Sequence, residues 1–244
     1  MFLHFDSIGL FYLGNSNESR LNFFNEILNK VAEGGGNVIL PAFSYSFCRD
    51  EIFDINDSST TLGASHEYIR SRNSSRRTSD GVFSYLIFGT LPIFKEYMHQ
   101  RLRNDCFGES SLLNKVLQAD GWISSIGGVI QSTTEIHHVE KKLDVQYRFD
   151  KKFSGTIVNK DNSYQQESIF FCRDLNFYKK TLLGSDLTNL YKDLSSKKKM
   201  KEININNDFL LDYVSYGDIY DTTKEEISKN PYYLLSQRND MFSG

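Results

Sequence analysis

The stretch from Leu3 to Pro41 constrains the fold more than any other part of the chain. Leu3-His-Phe5 is a short apolar run. After it, Ser16 and Asn17 can accept the unpaired N–H groups of a first helical turn, and Leu21, Phe24, Ile27, Leu28 and Val31 recur at the spacing of one helix face. Gly34-Gly35-Gly36 stops that helix, and Val38-Ile-Leu-Pro41 reads as a buried strand. A strand, an amphipathic helix and a second strand in direct succession require a helix laid on a sheet, which places the chain in the α/β class.

The remainder continues this pattern with interruptions. Residues 44–79 form a long polar stretch rich in Ser, Asn, Asp and Arg, and a segment of that length without periodicity inside a compact domain is usually functional. Val82 to Met98 returns to helical spacing, although Phe83–Phe88 is equally compatible with a strand. Ser110 can cap a helix through Leu117 closed by Asp120-Gly121, and Trp122–Ile126 is the next buried strand. Phe153–Val158 and Glu167–Cys172 flank a turn at Lys160-Asp-Asn-Ser163 and read as an antiparallel hairpin, which predicts a mixed sheet. Asn207–Val214 and Thr222–Ser228 read as helices, and residues from Ser236 onward should fray. The 244 residues contain no linker or internal repeat, so one domain over residues 1–244 is expected.

Several function classes are disfavoured. The net charge of -3 is spread along the chain apart from Lys197-Lys198-Lys199, leaving no wide basic surface for nucleic acid. No apolar run approaches the roughly 20 residues that span a bilayer, and Met1-Phe-Leu-His-Phe-Asp6 does not read as a secretory leader, so a cytoplasmic location is expected. The cysteines Cys48, Cys106 and Cys172 are widely spaced, without a Cys-x-x-Cys pair, and read as reduced thiols.

The strongest chemical signal is Thr134-Glu-Ile-His-His-Val-Glu140. If a helix begins near Thr133, His137 and Glu140 share one face, and a carboxylate beside an imidazole makes a base that works near neutral pH. The spacing alone fits a hydrogen-bonded core histidine at least as well. Zinc on His137, His138 and Glu140 is disfavoured, because adjacent histidines on a helix diverge by about 100° and no third ligand lies nearby in sequence. Gly108-Glu-Ser-Ser111 opens a helix, and its N–H groups and hydroxyls suit a phosphate or a thioester oxygen, although capping explains such serines equally well. The arginines of Arg70-Ser-Arg-Asn-Ser-Ser-Arg-Arg77 suit phosphates or simply a solvated loop. Asp50, Glu51, Asp54 and Asp57 form an acidic loop.

Taken in order, these segments resemble the aminoglycoside 3-N-acetyltransferase, or antibiotic N-acetyltransferase, family. The resemblance runs from Leu3-His-Phe-Asp-Ser7 through Leu40-Pro-Ala-Phe-Ser44 to about Asp221. Its most specific pieces are Gly63 to Gly89, Phe107-Gly-Glu-Ser-Ser111, Asp120-Gly-Trp-Ile-Ser-Ser-Ile-Gly127 and Thr134 to Glu140. It implies a three-layer α/β/α sandwich with a central mixed sheet, and direct acetyl transfer from acetyl-CoA to an amine without an acyl-enzyme or a metal. His137 then corresponds to the family's catalytic histidine and Glu140 to the acidic residue after it. Ser110 and Ser111 correspond to the loop associated with CoA, and backbone N–H groups near them are expected to hold the oxyanion. His4, Asp6 and Ser7 correspond to the polar triplet near the CoA phosphates, with Arg77 as a further cofactor contact and Asp80 as a second candidate to orient His137.

The departures bear on the acceptor. Antibiotic-modifying members carry Arg-Ser-x-His-Pro before a serine, whereas this chain has Arg77-Thr-Ser-Asp80-Gly81-Val-Phe-Ser84, and the helix that precedes the family's first strand has no counterpart. Asp80-Gly-Val-Phe-Ser84 and Tyr147-Arg-Phe-Asp-Lys-Lys-Phe-Ser-Gly155 resemble instead a branch associated with surface-polysaccharide (O-antigen) biosynthesis. That branch implies a nucleotide-linked amino sugar as acceptor. An aminoglycoside acceptor is the alternative, a non-catalytic sugar-binding relative is another, and a homo-oligomer remains open.

Overall fold

In the computed structural model, which describes residues 1–90, 105–128, 130–160, 162–205 and 209–237, the chain opens with β1 (Phe2–Phe5), buried at every position. It continues through α1 (Asn17–Glu33), β2 (Val38–Pro41), β3 (Phe53–Asp54), α2 (Ala64–Arg72), β4 (Tyr85–Phe88), α3 (Leu112–Gln118), β5 (Trp122–Ile126) and α4 (Ile136–Lys142). The second half carries β6 (Arg148–Asn159), β7 (Asn162–Arg173), α5 (Leu175–Thr181), β8 (Leu183–Ser185), α6 (Thr188–Ser196), β9 (Lys201–Ile205), β10 (Phe209–Ser215), α7 (Tyr216–Lys229) and β11 (Leu235–Gln237).

The central sheet has six strands in the order β4-β2-β1-β5-β10-β9. Strands β2, β1 and β5 are parallel, while β4 and β10 run antiparallel to their inner neighbours, so the sheet is mixed as expected. Side chains alternate across it. Leu3, Phe5, Val38 and Leu40 join Leu21, Phe24 and Leu28 of α1 in one core cluster, and Phe2, Ile39, Ile123 and Val214 join Ile136 and Val139 of α4 and Ile219 of α7 in the other. Burying each large apolar side chain of α1 contributes roughly 1.5–3 kcal/mol, and that is what fixes the helix on the sheet. Its start is set by a reciprocal cap, in which Ser16 Oγ accepts from Ser19 N–H and Ser19 Oγ accepts from Ser16 N–H, both at 3.1 Å. No helix among the described residues is long and apolar enough to cross a membrane.

Three expectations change. The hairpin is longer than its apolar core suggested, because the β6–β7 ladder runs on through Arg148 to Lys152 on one strand and Asn162 to Gln166 on the other; backbone pairing does not require apolar side chains. It also lies in its own three-stranded sheet with β3, so the mixed character of the central sheet comes from β4, β9 and β10. Residues 209–214, read as helix, form β10: a short apolar run is ambiguous by periodicity, and the free edge of β5 captures it as a strand. Of Val82–Met98, Tyr85–Phe88 is a strand paired with β2 and residues 91–98 lie outside the described residues.

The polar stretch 44–79 is tied down by one buried arginine. Arg77 donates to the carbonyls of Ser58 and, at 2.7 Å, Ala42, and to Ser84 Oγ at 3.1 Å. β1 connects to β2 on one side and lies beside β5 on the other, so the carboxyl ends of β1 and β5 open the crevice where ligands bind in sheets of this kind.

Candidate functional site

Residues Thr134 to Glu140 leave that crevice and enter α4, which is held from two directions. Glu135, fully buried, accepts a 2.7 Å hydrogen bond from His4 Nε2 at the end of β1. The Tyr216 hydroxyl at the start of α7 donates to the Glu135 carbonyl at 3.0 Å. Having spent its proton there, it accepts from His138 Nδ1 at 2.8 Å. Burial, reinforced by Lys142, pulls His138 down to a pKa of about 4, so the ring is neutral at pH 7.

His137 faces the other way. Its Nδ1 lies 2.7 Å from Glu140 Oε2, and the ring meets Phe107 edge-on at 5.8 Å. Glu140 is 2% exposed, and the same Oε2 is 2.7 Å from Nε of Arg148, itself buried at the head of β6, whose Nη1 donates to the Phe171 carbonyl at 3.3 Å. Burial alone would raise the Glu140 carboxyl, but the hydrogen bond from His137 and the Arg148 guanidinium outweigh it and hold the group below its ordinary range. Burial lowers His137, and Glu140 opposes this without reversing it. The result is a neutral imidazole whose Nδ1–H points at a carboxylate, leaving Nε2 as the basic nitrogen. His137 and His138 therefore point to different partners, and among the described residues no group of three His, Cys, Asp or Glu side chains is placed to hold a metal.

His137 opens on a cavity of about 750 Å³. Tyr45, Phe83, Phe149 and Phe170 supply aromatic walls, and Arg148, Lys151, Arg173 and Lys179 supply four cations. Tyr45 is held in the left-handed region at φ 53°, a conformation that costs a non-glycine residue of order 1 kcal/mol and tends to cluster at binding sites. Asp174 is the one carboxylate in the lining among the described residues, and it caps α5 by accepting from the N–H groups of Asn176 and Phe177 at 2.9 and 3.2 Å.

The expected site residues separate into groups. His137 and Glu140 are together. Asp80, Ser110 and Ser111 line a neighbouring cavity of only 20 Å³, which shares Phe83 with the larger one. Asp80 does not touch His137: its Oδ1 accepts from Val82 and Phe83 N–H at 2.7 and 2.8 Å and its Oδ2 from Cys106 Sγ at 3.3 Å, so Glu140 is the residue that orients the ring. Ser111 caps α3 by accepting from Asn114 N–H at 3.2 Å and donates its own N–H to the Gly108 carbonyl. Of the β1 triplet, His4 is bound to Glu135, Asp6 accepts from Ile8 N–H at 2.7 Å, and Ser7 Oγ meets Ser65 Oγ at 2.7 Å. Arg77, expected to contact cofactor, has donors on all three nitrogens engaged and is 2% exposed, so it locks a loop instead.

Arg148, Glu135 and Arg173 were not singled out from the sequence as site residues. Arg148 and Glu135 lie inside the segments Tyr147–Gly155 and Thr134–Glu140, but what gives them significance is contact with Glu140 and His4, partners that no local spacing reveals.

The sequence profile described as aminoglycoside 3-N-acetyltransferase matches residues 8–224. Comparison with curated proteins returns no match. Among solved structures, a mutant of aminoglycoside acetyltransferase AAC(3)-IVa in complex with a gentamicin superposes with a TM-score of 0.69 at 19% identity, covering 96% of this chain and 83% of that one. AAC-VIa bound to sisomicin gives 0.70 at 15% identity, covering 93% and 91%. AAC-IIIb as a binary complex with CoASH gives 0.68 at 14%, covering 93% and 89%. These likenesses establish the α/β fold. The expected polysaccharide branch draws no support from any of them.

Proposed function

Because the chain belongs to the aminoglycoside 3-N-acetyltransferase family, whose members are CoA-dependent acetyltransferases, we propose that it transfers an acetyl group directly from acetyl-CoA to an amine of an amino sugar with His137 as general base. The observation that carries this reading is the His137–Glu140–Arg148 arrangement in the wall of the 750 Å³ cavity.

An amine near neutral pH is mostly protonated and cannot attack a thioester, so the site must take a proton from it. His137 is suited to this because burial keeps it neutral and Glu140 stabilises the imidazolium that forms. Arg148 in turn keeps Glu140 ionised. Acetyl-CoA supplies the acetyl group as a thioester; the chain's part is to place the amine, accept its proton and surround both with aromatic walls that exclude water. The neighbours that bind gentamicin and sisomicin favour an aminoglycoside as the amino sugar, and the departures at Asp80-Gly81 favour a nucleotide-linked one.

Thiol release from acetyl-CoA, measured against a panel of amino-sugar nucleotides and aminoglycosides, tests the reading. His137→Asn should lower kcat by roughly 10²- to 10⁴-fold with every accepted acceptor while CoA binding persists. Near-normal turnover in that variant would remove His137 as the base.

A further inference from the structure

We infer that the acceptor carries an anionic group, a phosphate or a carboxylate, which Arg173, Lys151 and Lys179 hold at the mouth of the His137 cavity. This rests on His137 marking the place where the amine reacts.

The charges around the cavity are unevenly settled. Lys152 meets Glu167 at 2.9 Å, and Lys141 of α4 meets Asp150 at 2.6 Å. Lys151, one residue away and lining the cavity, has no carboxylate within ion-pair distance among the described residues, and neither do Arg173 or Lys179. Arg173 stands directly opposite Arg148 in the β6–β7 register, a like-charge pairing that destabilises a hairpin. Glu140 neutralises Arg148 and nothing described neutralises Arg173. Both guanidiniums line the cavity onto which His137 opens, and both oppose its protonation.

CoA does not account for all of these cations. Its phosphates are separated from the thioester by the pantetheine arm, whereas Arg173 lines the same cavity as His137. A polycationic acceptor fits no better, since it would bring further positive charge to a mouth where, among the described residues, the one carboxylate already caps α5. The acidic loop Asp50–Asp57 is absent from the cavity wall: Glu51 pairs with Arg49, and Asp54 Oδ1 accepts from the N–H groups of Asn56 and Asp57. Phe149 and Leu175, 47% and 66% exposed at the mouth, offer apolar surface to a sugar or base ring beside the anion.

The test uses the full chain with CoA saturating, so that the probe reports the acceptor side, and compares calorimetric binding of uridine diphosphate glucosamine, glucosamine and tobramycin. The phosphorylated probe should bind the wild type most tightly and weaken as salt rises. Arg173→Glu combined with Lys179→Glu, both at exposed positions, should weaken it at least about tenfold and strengthen tobramycin. Tobramycin binding the wild type more tightly, no detectable binding of the phosphorylated probe, or indifference to the charge reversal would each overturn the inference. Acetylation of tobramycin that depends on His137 would overturn it while leaving the proposed base intact; acetylation of any acceptor by His137→Asn at the wild-type rate would instead remove the base.

Discussion

Two histidine–carboxylate pairs flank the start of α4, and they are nearly identical in geometry: His4 with Glu135 and His137 with Glu140, each at 2.7 Å, each on a buried glutamate. They differ in what surrounds them. Glu140 has a second cation, Arg148, and its histidine opens on a large cavity. Glu135 has no described side-chain partner beyond His4, leaves Oε1 without a partner, and lies where β1, α4 and α7 meet. A short imidazole–carboxylate contact is thus not enough to identify a base. Access and a companion charge that keeps the carboxylate ionised separate a pair that can exchange a proton with a ligand from one that fastens a helix to a sheet.

The largest effect should separate the two histidines directly. His137→Asn is expected to lose turnover by the factor given above with little change in Tm. His4→Asn should show the reverse, a lowered Tm with kcat within about tenfold of wild type, since it loosens an anchor that reaches His137 only through Glu135. Equal losses of kcat in the two variants would break the distinction.

The carboxylates should differ next. Glu140→Ala strands a buried guanidinium and should cost about 3–5 kcal/mol. Glu135→Ala leaves a histidine, which can stay neutral, without its acceptor and should cost nearer 1–3 kcal/mol. Urea denaturation of both variants measures the ordering, and a larger loss at Glu135 would show that the anchor and not the His137 pair dominates the stability of this corner.

The two pairs also differ in how far they were legible in the sequence. His137 and Glu140 fall three residues apart on one helix, so local spacing places them together, and the capping serine, apolar stripe and glycines of α1 are equally local. His4 and Glu135 are 131 residues apart, and their meeting depends on β5 pairing with β1, which no periodicity expresses. The same reason hid Arg148, whose partner lies on another element, and β10, whose strand character comes from a free sheet edge. Arg77 misled in the opposite sense: an arginine in a polar loop suggests a phosphate, but it was recruited by the carbonyls of Ala42 and Ser58.

A smaller effect follows from charge alone. Glu140→Gln keeps a hydrogen-bond acceptor but removes the charge that opposes burial at His137, so the pKa of His137 should fall further. The proposed base must be neutral to act, so the acid limb of kcat/KM should move to lower pH in the variant. A limb that stays in place, or moves up, would mean that another group governs it.

The smallest effect isolates a third histidine that belongs to neither pair. His66 stacks on Phe5 with ring centroids 4.1 Å apart, and burial, aided by the charge of His4, pulls its pKa to about 4. Its folded pKa lies below the unfolded value of 6.5, so between pH 6.5 and 4 the unfolded chain binds more protons and stability falls as the pH falls. His66→Phe keeps a ring on Phe5 and removes the titration, so Tm should decline less between pH 6.5 and 4 than in the wild type. An unchanged decline would assign the acid sensitivity to His138 and the Glu140 cluster, where the same direction is expected: His138 is also held near 4, and a carboxyl held below its ordinary range loses its contribution as it is protonated.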